Sequence, residues 1–465
     1  MNFMNHIHFI GIEGTGMSAA AHILLESNIQ ISGSDLHPGE KSRQFIQHGA
    51  LIQQGHRAEN IPANTELVVI SAAIQEQNPE LQEARRRNLP VIKYAQFLGK
   101  LMENKQGITV AGTHGKSTVS GMLASLLYQA ELDPSFIVGA ILKEFHTNSR
   151  KGQSNYFIAE ACEYDHSFLN LHPYIGIITN IEPDHLDYYK TFANIIQAFH
   201  DYATLIPKQG KLIIEAKAKT YLPNNYPCSI ETYSLYTKAD WQVKNIQQLE
   251  NHNQFTVFYK EREIGTFRIQ LLGLHNIENT LPVIATGHSL NIPIATMQRA
   301  IFNYQGIERR FDILSEKPIT IIDDYAHHPT EIQATLQAWQ ELGSFHKKYC
   351  IFQPHQASRT ALFLKELATS FSHVDEIIIS DIFFARDSAQ DKEKIHAKTL
   401  VEEIRKNGQN AHYIGSMDAI IQYLQDNLVE NDSILTMGAG TICYVAQSIA
   451  TIEENKKACL KLKIG

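Results

Sequence analysis

The stretch Gly107 to Thr118, GITVAGTHGKST, constrains this chain more than any other. Ile108, Thr109 and Val110 read as the end of a buried strand. The glycine-bounded turn after them runs straight into an apolar-periodic helix carrying Val119, Met122, Leu123, Leu126 and Leu127. So short a turn commits the region to an α/β unit with unpaired backbone N–H groups at the helix start, and these together with the helix dipole favour an anion. Lys116 adds a full positive charge where β- and γ-phosphates would lie, and Ser117 adds a hydroxyl suited to Mg²⁺. The loop Gly112, Thr113, His114, Gly115, Lys116, Ser117, Thr118 is shorter than the usual phosphate loop, because Val110 stands where a glycine is expected six residues before the lysine. A turn that merely caps a helix beside an exposed lysine is the alternative, and the strand before and helix after favour phosphate binding.

At 465 residues the chain exceeds one hydrophobic core, and its α/β rhythm divides it into residues 1–105, 106–312 and 313–465. In the first block, residues 6–11 form a strand, GIEGTGMS a tight turn, Met17 to Glu26 a helix, and Ile29 to Ser32 a second strand ending at Asp35. That is a mononucleotide-binding βαβ unit whose glycines are Gly11, Gly14 and Gly16, with Glu13 in the middle position of the dinucleotide fingerprint. A carboxylate about 4 Å from a phosphate would cost on the order of 1 to 4 kcal/mol. Either Glu13 points away or the phosphates sit elsewhere. Asp35 is placed equally well for a ribose contact and for capping its own turn. A strand at Leu67–Ser71, a helix opened by Asn78 and Pro79, and a strand at Val91–Lys93 complete the block before a polar linker, Glu103 to Gly107.

In the second block, strands at Tyr156–Ala159 and Gly176–Thr179 deliver Glu160 and, within EPDHLDYY, His185. Ligands gather beyond the carboxyl ends of such strands, so Ser117, Glu160 and His185 suit a Mg²⁺ ion that keeps several waters. From roughly 205 to 270, alternating residues such as Phe255, Val257 and Tyr259 suggest antiparallel strands. Asn276 and Asn279, spaced i and i+3 on a helix, could meet an adenine edge or serve the helix itself.

GIERRFD then places Arg309 and Arg310 before a strand, Ile319–Ile322, that ends in Asp323, Asp324, Tyr325, His327 and His328. Arginine's planar fork suits phosphate. The adjacent imidazoles fit an active-site loop better than a zinc site, and Pro329 starts a helix. Strand Tyr349–Phe352 sets His355 and Arg359 at its end, with a surface ion pair between Arg359 and Glu366 as the competing reading of that arginine. Ile377–Ser380 delivers Asp381 and then Arg386, and Ile434–Met437 precedes GAGTI.

A net charge of −8 argues against non-specific nucleic-acid binding. Five cysteines without a C-x-x-C pair suggest neither a zinc cage nor a disulfide framework, and fit a reducing cytoplasm. No stretch reads as a signal peptide or a membrane span.

Taken in order, HFIGIEGTGMS, SGSD, VISAAIQEQNPEL, AGTHGKST, EACEYDHSFL, TNIEPDHLDYY, GLHNIENT, RRFD, DDYAHHPTEI, FQPHQASRT and MGAG resemble the Mur ligase family along nearly the whole chain. The resemblance implies an α/β fold of three domains. A Rossmann-like N-terminal domain would hold a UDP-sugar through Gly11, Gly14, Gly16, Met17, Ser18 and Asp35, a central P-loop-type domain would bind ATP, and a Rossmann-like C-terminal domain would close over the site. It also implies transfer of the γ-phosphoryl of ATP to a carboxylate and attack of an amine on the acyl phosphate. In the most similar branch that reaction joins L-alanine to the lactyl carboxylate of UDP-N-acetylmuramate, in the cytoplasm, for peptidoglycan synthesis.

By the same likeness Lys116, His185 and Arg359 form the catalytic set. Ser117, Glu160 and His185 serve Mg²⁺, Asn276 and Asn279 face adenine, Arg310 faces phosphates, and Asp324, Tyr325, His327 and His355 meet nucleotide or substrate. Glu13, Gln356 and Thr441 depart from the family pattern. The competing readings are a ligase that attaches a whole tripeptide to the same UDP-sugar, an NAD-dependent oxidoreductase built on the first βαβ unit, and a non-catalytic UDP-sugar sensor. The oxidoreductase leaves Lys116, Ser117 and Glu160 without a role.

Overall fold

The structure, a computed structural model, describes residues 4–249, 252–385 and 387–464. It is an α/β protein with three sheets, and the chain divides into two compact units, residues 1–270 with 277–306 and residues 271–276 with 307–465.

In the first unit, β1 (His6–Ile10), β2 (Gln30–Asp35), β3 (Leu51–Gln54), β4 (Leu67–Ile70) and β5 (Val91–Lys93) form a parallel sheet in the order β3-β2-β1-β4-β5. Every residue of β1 is buried, as expected of a central strand covered on both faces. The helix Pro79–Arg86 starts as its sequence dictates. Pro79 fills the first helical position, and the Asn78 side chain accepts the N–H groups of Glu80 and Leu81.

Ten further strands of this unit form one sheet: β6 (Gln106–Ala111), β7 (Ser135–Leu142), β8 (Thr147–Arg150), β9 (Tyr156–Glu160), β10 (Pro173–Ile178), β11 (Lys211–Glu215), β12 (Ser229–Ser234), β13 (Trp241–Leu249), β14 (His252–Tyr259) and β15 (Arg262–Ile269). Their order is β15-β14-β13-β12-β11-β10-β6-β9-β7-β8. The expectation of antiparallel strands throughout 205–270 is corrected here. β11 pairs parallel with both β10 and β12, β12 pairs parallel with β13, and only β13, β14 and β15 run antiparallel. β11 carries the buried run Leu212, Ile213, Ile214, the mark of a strand covered on both faces, whereas β13 is exposed from Lys244 to Leu249.

The second unit holds β16 (Asp312–Ser315), β17 (Thr320–Asp324), β18 (Lys348–Phe352), β19 (Glu376–Ile379), β20 (Ala411–Tyr413) and β21 (Ser433–Met437), in the order β16-β17-β21-β18-β19-β20. Only the edge strand β16 is antiparallel to its neighbour. Among the described residues, no helix is long and apolar enough to cross a membrane.

Residues 103–107 are not a free linker. Helix Tyr94–Met102 runs nearly into β6, the Lys105 ammonium donates to the Ser154 carbonyl, and a Cβ on Gly107 would lie 2.3 Å from the His172 carbonyl oxygen. The helix buries Phe97, Leu98 and Met102 in the same core as Phe168 and Leu171, so the first two sheets share one apolar interior. Gly99 permits that contact, since a Cβ there would stand 2.1 Å from the Asn170 carbonyl oxygen. Gly99→Ala is therefore expected to destabilise the protein by about 1 to 3 kcal/mol through overpacking. Denaturant unfolding measures this, and an unchanged midpoint would show that the helix shifts freely.

Candidate active site

The loop after β6 gets its shape from two glycines and from the chain that follows β10. Gly112 and Gly115 have φ of +137° and +80°, and a Cβ on Gly112 would lie 2.0 Å from Thr179 Oγ1. Gly115 is the N-cap of helix Lys116–Gln129, where no side chain caps the first N–H groups. A Cβ on Gly115 would stand 2.7 Å from Asn279 Oδ1. Asn180 accepts the N–H of His114 at 2.8 Å and donates to its carbonyl at 3.1 Å, while Thr113 Oγ1 accepts the N–H of Glu182 at 2.9 Å. Asn180, which directly follows the expected strand Gly176–Thr179, was not singled out from the sequence, yet its amide is the clamp of this loop.

Lys116 is not the exposed lysine of the alternative reading. Its side chain is 14% exposed, and its ammonium donates to Thr113 O at 3.1 Å, to Gly112 O, and to the buried Glu163 carboxylate at 3.0 Å. Burial alone would depress the ammonium pKa, but Glu163, the largest of the opposing influences, holds it above the usual lysine range. Glu163 was also missed. It lies three residues beyond Glu160 in EACEYDH, at the end of β9, and that spacing was its only signal.

Ser117 and Glu160 are brought together, with Ser117 Oγ donating to Glu160 Oε2 at 2.8 Å and the Gly139 N–H donating to the same oxygen. These hard oxygen donors beside a helix start fit Mg²⁺. His185, in the left-handed region at φ 52°, has its Nε2 at 3.7 Å from Glu163 Oε1 and 3.6 Å from Asp184 Oδ2. His185 thus lies against Glu163 and Asp184. Thr118 is buried in the first turn of the same helix.

Around the first βαβ unit the two carboxylates hold groups of the chain itself. Glu13 points away from the turn, accepting Ser42 N–H at 3.2 Å and Ser42 Oγ–H at 2.5 Å. Asp35 caps its own turn, accepting the N–H groups of Glu13 and His37 at 3.1 Å each. A cavity of about 470 Å³ opens beside this turn, lined by Gly14, Gly16 and Met17 of the expected set and by Lys93, Tyr94 and Asp165, which sequence reading missed. Gly11, Ser18 and Asp35 are not among its lining residues. Gly11 instead passes close over Ser71, and Ser18 donates to Thr15 O. Lys93 and Asp165 pair at 3.1 Å across the cavity lining.

In the second unit, Asp324 is buried and bonded within the chain. Its oxygens accept the N–H of Phe311 at 2.6 Å, the N–H of Ala326 at 2.7 Å and Thr335 Oγ–H at 3.2 Å. Burial pushes its carboxyl up to about 6, against the pull of Arg310 and those N–H groups. The guanidinium groups of Arg309 and Arg310 lie 5.0 and 5.1 Å from the Tyr325 ring centre, and Arg310 is 3.7 Å from Glu331. His327 Nδ1 is 3.0 Å from Tyr325 O and 3.2 Å from Glu331, and its ring lies 5.5 Å from that of His355.

Arg359 Nη1 donates to His355 Nδ1 at 2.9 Å, which makes that nitrogen an acceptor and leaves the proton on Nε2 of the neutral ring. Arg359 is 7% exposed, and its helix Ala357–Leu362 ends before Glu366, so the surface-pair reading fails. Gln356, buried with φ 64°, is the N-cap of that helix and donates its N–H to Phe383 O. Thr441 is held by the Gln353 amide. Asn276 donates to Leu272 O at 2.7 Å, a bond within its own helix start. Arg386 lies outside the described residues.

Family models match residues 6–106 (Mur ligase family, catalytic domain), 110–287 (Mur ligase middle domain) and 309–440 (Mur ligase, glutamate ligase domain). The chain is 42% identical to the UDP-N-acetylmuramate--L-alanine ligase of Alkaliphilus metalliredigens, over 96% of this chain and 97% of the relative. It is 40% identical to the protein of the same name from Caldanaerobacter subterraneus, over 97% and 98%. The crystal structure of UDP-N-acetylmuramate-alanine ligase from Thermotoga maritima matches with a TM-score of 0.83 at 25% identity, over 97% of this chain and 99% of that one. A murein peptide ligase from Psychrobacter arcticus matches with a TM-score of 0.70 at 26% identity, over 96% and 98%.

Replacing Lys116 by alanine strands the buried Glu163 charge. The expected cost is about 3 kcal/mol of stability, where a solvated lysine would cost under about 0.5. Thermal unfolding of Lys116→Ala checks this, with an unchanged melting temperature as the contrary result.

Proposed function

The chain belongs to the Mur ligase family, and from that premise we propose that it joins L-alanine to the lactyl carboxylate of UDP-N-acetylmuramate with consumption of ATP, as a step of peptidoglycan precursor synthesis. The observation that carries the reading is identity of 40% or more along nearly the whole length of relatives bearing that name. A UDP-sugar and ATP as substrates also assign the reaction to the cytoplasm.

A carboxylate is a poor electrophile, and ATP supplies the phosphoryl group that turns its oxygen into a leaving group, with Mg²⁺ offsetting the charge of the assembled anions. The residues of this chain bind and orient around that exchange. The N–H groups at the start of helix Lys116–Gln129 and the Lys116 ammonium would take phosphate oxygens, while Ser117 and Glu160 would hold the metal, with His185 beside Glu163 completing the rim. The cavity beside Gly14 and Gly16 would receive the UDP-sugar, with Lys93 as its cation. Asn279, whose side chain stands beside Gly115, would meet the base. From the second unit, Arg310, Tyr325, His327, His355 and Arg359 would address the phosphates and the reacting carboxylate. Asp324 contributes indirectly, by fixing the backbone of Phe311 next to Arg310.

The tripeptide-adding ligase remains the second reading, because the same site chemistry would serve it and a murein peptide ligase shares the fold. Purified protein supplied with ATP, Mg²⁺ and UDP-N-acetylmuramate should release stoichiometric phosphate with L-alanine and not with the tripeptide. The reverse pattern would exchange the two readings.

For Arg359, lysine preserves the charge and loses the two-pronged geometry. Since one charge-assisted bond is worth about 1.5 to 3 kcal/mol, Arg359→Lys should lower kcat at least roughly tenfold. kcat and kcat/KM are expected to fall together, as for a contact made only in the transition state. An unchanged kcat in steady-state kinetics would take Arg359 out of the site.

A further inference from the structure

We propose that Glu163 is an internal counter-anion which Lys116 must give up for a phosphate, and that it makes nucleotide binding at this loop depend on an accompanying divalent cation. The inference rests on the ATP reading above.

Both partners are withdrawn from water, with Glu163 5% and Lys116 14% exposed, and the ammonium lies 3.0 and 3.3 Å from the two carboxylate oxygens. Glu163 is held there. The buried Tyr189 donates its hydroxyl to the Glu163 carbonyl at 2.5 Å, fixing the backbone from which the carboxylate projects. The same ammonium also binds the Gly112 and Thr113 carbonyls, so in this state it is turned back onto its own loop.

Glu160 adds a second carboxylate, 2.8 Å from Ser117 Oγ at the helix start. One carboxylate therefore pairs with the ammonium directly, and a second stands at the hydroxyl of the next residue. A polyphosphate entering alone must displace Glu163 from Lys116 and leave that carboxylate without a cation, in a place where charges are poorly screened. A divalent cation entering with the phosphates supplies the missing positive charge. Lys116 would then be free to move to the phosphates, with Ser117 and Glu160 as the residues that would hold the metal and its charge offsetting Glu163.

A merely structural pairing predicts the opposite sign. If Glu163 only neutralised a buried lysine, its loss would loosen the loop and weaken every form of the nucleotide. Under the counter-anion assignment, Glu163→Gln, which keeps the shape and one acceptor for Lys116, removes the competing charge.

The experiment is calorimetric titration of the wild-type and Glu163→Gln proteins with ATP in EDTA and with Mg²⁺-saturated ATP, without turnover. The expected result is that Glu163→Gln binds metal-free ATP at least about tenfold more tightly, while its affinity for the Mg²⁺ complex changes far less. The gain should vanish when Lys116→Met is added. Glu163→Asp, which keeps the charge on a shorter arm, should fall between the two and serves if Glu163→Gln does not fold. Metal-free binding that is unchanged or weaker in the folded variants overturns the assignment. Failure of the wild type to bind even the Mg²⁺ complex overturns the nucleotide reading and this inference with it.

Discussion

The shape of the phosphate loop depends on one constraint, the need to satisfy backbone groups that two left-handed glycines turn away from regular structure. Gly112 and Gly115 let the chain bend between β6 and its helix, but such a bend leaves the polar groups of Thr113 and His114 without helix or ladder partners. Asn180 takes both the N–H and the carbonyl of His114, and Thr179 Oγ donates to the same carbonyl. Those two residues are in place because β10 pairs parallel with β6, with Ile178 opposite Ala111, so that the next residues of one strand run alongside the loop leaving the other. Sheet register thus decides loop shape, and loop shape decides where the Lys116 ammonium can reach.

How far the sequence foretells this depends on the separation between partners. The strand, turn and helix around Lys116 are legible because each is a local pattern, and so are the Asn78 cap and the Pro329 helix start. The Lys116–Glu163 pair spans 47 residues and comes together only because β9 lies beside β6, with Glu160 opposite Val110. Nothing in EACEYDH by itself says which of its two glutamates meets the lysine. Strand direction in 205–270 fails for a related reason. Alternation reports which face is buried, and two strands with the same alternation can run either way, so the parallel setting of β11 and β12 follows from the crossovers between them. Glu13 and Asp35 were ambiguous because a carboxylate at a strand end serves a turn as well as a ligand. Here Glu13 holds Ser42 and Asp35 holds local N–H groups, partners that no local pattern announces.

Around the first glycine turn a buried carboxylate plays the part that Asn180 plays at the phosphate loop. Glu80 is fully buried and accepts from His8, Ser34 and Asn60 side chains at 2.9, 2.7 and 2.7 Å and from the Arg57 N–H at 3.2 Å. Burial raises its pKa, yet these bonds outweigh burial and leave the carboxyl below its ordinary range, so it stays charged. Ser34 in turn offers its carbonyl to the N–H groups of Gly11 and Ile12. The buried acid therefore fixes the strand end on which the glycine turn sits, while leaving the turn's outer face to the cavity.

Asp324 carries the same logic into the second unit, with a different balance. Its two oxygens hold Phe311 and Ala326, the residues flanking the Arg310 and Tyr325 pair, yet its pKa is pushed up to about 6 because burial there outweighs the donors. An acid poised near neutrality holds its N–H partners most strongly when ionised, while burial penalises that same charged state. Raised above its unfolded value of about 3.9, the folded pKa means Asp324 weighs against stability increasingly as pH climbs from the unfolded value through 6, and not at all below it. The arrangement persists because the geometry of Arg310 and Tyr325 requires an acceptor for both neighbouring N–H groups, which a neutral side chain of the same length could provide for only one. Stability is given up at this position for a fixed arginine, whereas at Glu80 the donors are numerous enough that no such sacrifice is made.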